Sequence, residues 1–226
     1  METKARFESL PLGLLLTLTG GSLDCYTYQN RGQVFATAET GNMVLLGAQL
    51  AKGRLDLALR YLPPILAYTA GVLAIEWFSR AVDKRVGQAK WRQIVLLLEC
   101  AVTVTIGFLP VGRLDALANI LISFTSAMQV ESFRIFAGCS CATTMCTGNL
   151  RSGTENLYLY LSTGNREAGQ KAAVYYALIV CFVTGAVIGA IATPFLGSKS
   201  IFLSCVFLAA AVVMLSKQSH SATLRM

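Results

Sequence analysis

Two stretches of this chain bury polar residues in apolar sequence in the same order. The first, Gly20 to Leu46, holds Asp24 and then Thr40-Gly41-Asn42. The second, Thr125 to Gly153, holds Gln129, then Thr147-Gly148-Asn149, then Arg151. The polar residue and the tripeptide are 16 residues apart in one stretch and 18 in the other. A carboxylate at bilayer depth costs roughly 2.5–3.5 kcal/mol on insertion scales, so it normally faces a partner or a watery cavity. Asp24 is therefore expected to carry a proton or a cation, unless it sits hydrated at the outer end of its helix. Glycine permits a break in a helix, and threonine and asparagine supply cap oxygens for the half-helix that follows. The N–H groups at such a half-helix start suit an anionic or carbonyl group. Arg151 adds a full charge there. Asp24, Thr40, Gly41, Asn42, Gln129, Thr147, Gly148, Asn149 and Arg151 are thus the candidate solute contacts. The tripeptide alone is a weak signal, because Thr163-Gly164-Asn165 repeats it in a polar loop. Its apolar frame, its repetition and the paired polar residue upstream are what single out the other two copies.

The remaining chemistry is sparse. Glu99 also lies in apolar sequence, but the repeat offers it no counterpart. Glu76 has Arg80 four residues on, a helix-face pair; Glu39 abuts Thr40 and caps or binds; Glu131 precedes Arg134 and reads as solvated. Cys139, Cys141 and Cys146 cluster without a CxxC, and the one histidine, His220, is in the tail. Seven cysteines in this pattern are packing residues rather than a metal site. The sequence has no HExxH and no G-x-S-x-G, so no catalytic residue, metal or cofactor is expected and the chain is read as not an enzyme.

The elements that must position these residues are membrane helices. The chain has 226 residues, 54% of them hydrophobic and 14% charged, against about 25% charged in a soluble domain. Mean hydropathy is +0.57. The net charge of +7 reads as lysine and arginine flanking cytoplasmic span ends, not as a nucleic-acid surface. Spans are expected at 10–28, 61–79, 93–111, 114–133, 172–198 and 200–216. Trp77 and Trp91 bracket the basic loop between the second and third. The apolar cores at 40–51 and 135–150 are 12 and 16 residues long, short of the ~20 needed to cross, and are expected to re-enter.

This predicts an all-α membrane protein of six transmembrane helices. They form two inverted three-helix repeats, 8–112 and 113–217, each with a broken Thr-Gly-Asn segment, in a single integral membrane domain. Three spans per copy is an odd number, so the copies must oppose each other, as in many transporters. With both termini cytoplasmic, 13 basic residues fall inside and 6 outside; a rival with eight spans and a parallel repeat puts the basic 80–92 loop outside, against the positive-inside rule. Gly185 and Gly189 form a small-xxx-small contact, expected within the chain.

The motifs also match a known pattern. Gly20-Gly21, Asp24, Tyr26 and Tyr28, then Phe35 to Gly47, then Ser126 to Gln129 and Ala142 to Gly153, resemble the YoaK-like family of bacterial membrane proteins over nearly the full length. The resemblance implies a multi-span, permease-like protein of the bacterial inner membrane, of unknown function and with no catalytic residues attached. The reading is a small secondary transporter for a small polar or anionic solute, proton- or cation-coupled through Asp24. The alternatives are a passive channel and a membrane-embedded enzyme. The expected partners are the solute or ion and membrane lipid, with no nucleic acid; a homo-oligomer fits the same surface.

Overall fold

The computed structural model describes residues 9–86 and 88–223, without the side chains of 79–89 and 218–223. The helices are α1 (Leu10–Asn30), α2 (Glu39–Ala51), α3 (Leu55–Ala58), α4 (Leu62–Val86), α5 (Gln88–Ile106) and α6 (Asp115–Ser132), then α7 (Cys146–Thr163), α8 (Arg166–Leu196) and α9 (Phe202–Thr223). A 3-10 turn, Gly197–Ile201, joins α8 to α9. Among the described residues the one small sheet is a hairpin of β1 (Ile135–Phe136) and β2 (Cys139–Ser140). Its two-residue turn, Ala137-Gly138, has positive φ at both positions, the mirror-image turn that matches strand twist.

All six expected spans contain helices, with ends shifted by up to seven residues. The run 135–150, expected to re-enter, is instead a hairpin and loop as far as Met145, and the helix that starts at Cys146 runs on through the polar stretch to Thr163. Two stretches, Leu55–Phe78 and Arg166–Lys217, are long and apolar enough by length and composition to cross a membrane; the second covers both α8 and α9. Pro63 and Pro64 lie in the first turn of α4, where a missing N–H breaks no helical bond.

Packing joins helices distant in sequence. α1 lies along α8 and α4 along α6; α9 touches α1 and α5, and α5 touches α6. Small residues set the two long crossings. A Cβ on Gly21 would overlap the Phe182 carbonyl, and one on Gly185 would overlap the Leu18 carbonyl. Gly189 faces Ser22 and Cys25, so the Gly185/Gly189 pair is a contact within the chain, as expected. At the other crossing Gly71 meets the Phe124 carbonyl. Close backbone approach of this kind gives helices dispersion contact where lipid supplies no hydrophobic drive.

One basic residue has an unexpected position. Arg31 follows α1 in a loop, where a charge is expected to be solvated, yet its side chain is fully buried. It donates to the carbonyls of Ile106, Leu109 and Pro110 at the end of α5, to the Tyr26 hydroxyl, and to Asp115 Oδ1 at 3.2 Å. Lys199 Nζ donates to the neighbouring Gly107 carbonyl. These donors satisfy carbonyls that a helix end leaves unpaired. Arg92 does the same for α6, donating to the Ser132 carbonyl at 2.9 Å. Glu76 pairs with Arg134, which also pairs with Glu131; Glu131 is thus engaged rather than free. The side chain of Arg80, the expected partner of Glu76, lies outside the described residues.

Candidate functional site

The two Thr-Gly-Asn segments meet at one cavity of about 920 Å³. Its wall includes Asp24 and Tyr28 from α1, the loop 35–38, the first turn of α2 at Glu39 to Gly41, and Tyr68 from α4. The opposite wall is Thr144 and Met145 with the first turn of α7, Cys146 to Gly148, backed by Phe182 and Ala186 of α8. Both α2 and α7 therefore present their N-terminal ends to the same space. Neither start has a side-chain cap.

The tripeptides do a different job from the one expected. Each helix begins before its threonine, at Glu39 and at Cys146, so the tripeptide lies inside the first turn. The asparagines turn backward to the incoming loop. Asn42 accepts from the Phe35 N–H at 3.0 Å and donates to the Phe35 carbonyl and to Glu39 Oε2. Asn149 donates to the Ala142 carbonyl at 2.8 Å. Both reach seven residues back. Both are buried and neither lines the cavity. Gly41 sits under the Phe35 ring, where a Cβ would collide, whereas Gly148 has open space around it. The third tripeptide is a plain hinge: Gly164 is left-handed, and Asn165 caps α8 through the N–H groups of Glu167 and Ala168.

Asp24 is buried at 4% exposure. Its Oδ1 accepts from the Thr37 N–H at 2.7 Å, and its Oδ2 has no hydrogen-bond partner. Glu39 is similar, with Oε2 held by Asn42 and Oε1 unpartnered. The hydroxyls of Thr37 and Ser123 stand beside these carboxylates without a settled hydrogen bond. Thr144 presents a further unpartnered hydroxyl. A buried polar atom without a partner costs about 1–3 kcal/mol, so their concentration around one cavity is informative.

Gln129, the counterpart of Asp24, does not reach the cavity. Its amide donates to Glu99 Oε2 at 3.0 Å and accepts from the Thr143 hydroxyl at 3.1 Å. Asp24 and Gln129 thus both hold the loop that leads into the next short helix, but only Asp24 keeps an oxygen spare. Glu99, fully buried, has Gln129 as the partner that the repeat did not suggest. Arg151 is displaced from its expected place: its side chain is 80% exposed and pairs with Glu155 at 2.9 Å. Of the nine candidate residues, Asp24, Thr40, Gly41, Thr147 and Gly148 line the cavity; Asn42, Asn149, Gln129 and Arg151 do not.

The cavity also has residues that the motif search passed over: Tyr28, Thr37, Tyr68, Thr144 and Cys146. A usable signal existed for two of them, since Thr37 and Thr144 each stand five residues before the asparagine of their copy. Cys146 lines the same cavity as Asp24, but among the described residues no histidine lines it to serve as a base. Burial pushes the Cys139 thiol up and the Cys141 thiol up to about 12, far from the thiolate a metal needs. Among the described residues no three His, Cys, Asp or Glu converge on a metal position.

Residues 12–214 match the model of DUF1275, a protein family of unknown function. The chain is also 26% identical over 203 residues to the UPF0700 transmembrane protein YoaK of Bacillus subtilis (strain 168), covering 85% of this chain and 87% of that protein. No solved structure matches.

Proposed function

The chain belongs to the DUF1275 family and is a membrane protein, and from that premise we propose that it is a small secondary transporter of the inner membrane. The observation that carries this reading is the shared cavity: two helix starts from distant parts of the sequence face one space, with a buried carboxylate on its wall. In this reading the chain is two inverted halves, 8–112 and 113–217, each of three spans and one re-entrant segment. The helix pairing supports it. α1 packs on α8 and α6 on α4, so the first helix of each half pairs with the second helix of the other. At 13 residues and about 1.5 Å per residue, α2 is near 20 Å long, too short for the ~30 Å hydrocarbon core. α7 reaches 18 residues but carries Arg151, Glu155 and Asn156. Both termini and the 80–92 loop would be cytoplasmic, and the chain would be no enzyme.

Mechanically, the solute binds between α2 and α7, and alternating access rocks the halves around it. Asp24 is the coupling group: one oxygen is tied to the loop that carries Thr37, and the other is free to take a proton or cation from the cavity. The test is proton-coupled flux by the purified chain in proteoliposomes, screened against small polar metabolites with an entrapped pH dye. Asp24→Asn is expected to abolish coupled flux and leave folding intact. Unchanged, equally pH-dependent flux in that variant would remove Asp24 from the mechanism. Flux indifferent to every ion gradient would favour a passive channel of the same architecture.

A further inference from the structure

We propose that the solute is an organic cation, a protonated amine on an apolar body; this deepens the transport reading and rests on it. The first observation is charge. Among the described residues the cavity wall carries the Asp24 and Glu39 carboxylates and no lysine, arginine or histidine. The second is satisfaction. Asp24 is 4% exposed, and each carboxylate has one oxygen anchored by the protein and the other without a partner. The anchored oxygens fix the orientation of both groups, and the unpartnered ones are shielded from water beside the cavity, so an ammonium that reaches them meets acceptors with no competing partner. Thr37 and Thr144 add two buried hydroxyls that also lack partners.

The helix starts do not reverse this. Each N-terminus is equivalent to roughly +0.5 charge, so two of them offset about half of two ionised carboxylates. Glu39 already stands in the first turn of α2, which leaves Asp24 against the α7 end alone. An anionic solute would meet a wall whose full charges are both negative.

The rest of the wall selects an organic body over a bare metal ion. Tyr28 and Phe35 stack with ring centroids 4.9 Å apart, and Tyr68 and Phe182 add further aromatic surface. Aromatic faces attract a desolvated ammonium. A hard metal ion asks for six or more oxygens at close range, and a space of about 920 Å³ is far larger than such a shell.

Three probes of one shape separate the charges: phenethylammonium, 2-phenylethanol and phenylacetate. Thermal stabilisation of the purified full chain in detergent reads binding. Phenethylammonium is expected to bind saturably and at least about tenfold tighter than either of the others, as a hydrogen bond to a charged group warrants. Asp24→Asn and Glu39→Gln should each weaken it roughly tenfold to a hundredfold. Each variant keeps the oxygen that accepts from Thr37 or Asn42, and Glu39→Gln decides the matter if the Asp24 variant does not fold. Binding of phenylacetate or phenylethanol as tight as the ammonium would overturn the proposal. So would no saturable binding of phenethylammonium up to about 10 mM, or unchanged binding in the folded variants. Selective binding of the ammonium without movement across proteoliposomes would leave the cation site standing and sink only the transport reading. Anion-selective flux would do the reverse.

Discussion

Replacing Asn42 with alanine separates two jobs for the tripeptide. As a solute contact, Asn42 would be dispensable for folding. The structure instead makes it the strap of the 31–38 loop, with two hydrogen bonds to the Phe35 backbone and one to Glu39. A net hydrogen bond contributes about 1 kcal/mol, one to a charged group about 1.5–3, and a stranded buried partner adds its desolvation cost. Asn42→Ala should therefore cost about 3–5 kcal/mol. Asn149→Ala removes a single bond, to the Ala142 carbonyl, and should cost about 1 kcal/mol. The expected result is an ordered pair of melting temperatures in detergent, with Asn42→Ala well below Asn149→Ala and the latter close to wild type. Limited proteolysis should cut the 31–38 loop faster in the Asn42 variant alone, since opening exposes that segment first. Equal stability of both variants, with solute flux lost in each, would refute the strap and restore the asparagines as direct contacts.

Other perturbations test the frame around the cavity. Arg31→Met removes a buried donor set from three carbonyls at and just after the end of α5 and the partner of Asp115; a loss of about 3–5 kcal/mol is expected, read as a fall in melting temperature, and Arg31→Lys should rescue little because a single ammonium cannot reproduce the fork. Gly21→Val should abolish folded protein on size exclusion, because its side chain meets the Phe182 backbone, while Gly148→Ala should fold normally and weaken solute binding, because a Cβ there meets open space at the cavity lining. Cys141 should resist maleimide at neutral pH. Its thiol, pushed up to about 12 by burial, forms the reactive thiolate only as the pH approaches that value, so fast neutral labelling of folded protein, read by mass spectrometry, would contradict its placement.

Composition and periodicity determined the class of this protein. Apolar runs near the length of a bilayer crossing, divided by glycine, proline and charge, placed six of the seven helices of 18 residues or more among the described residues, with ends off by up to seven residues. The repeated order of a polar residue and a Thr-Gly-Asn marked the starts of α2 and α7 and implied that they belong together, but missed that α7 runs on to Thr163 through polar sequence. That much is local: it depends on which residues tolerate lipid and which permit a chain break. What tertiary structure decided was where each polar side chain finds its partner. Asn42 and Asn149 turn back to their own loops because a buried backbone group there needs them more than open space does. Gln129 is consumed by Glu99 and Thr143, and Arg31 is drawn inward by the unpaired end of α5. Asp24 and Glu39 each keep one oxygen without a hydrogen-bond partner beside the cavity, with only the Thr37 and Ser123 hydroxyls near them. Spacing along the chain cannot express such choices, since hydrogen-bond partners are settled by contacts between segments as much as 182 residues apart, where reach and desolvation rather than sequence order set the outcome.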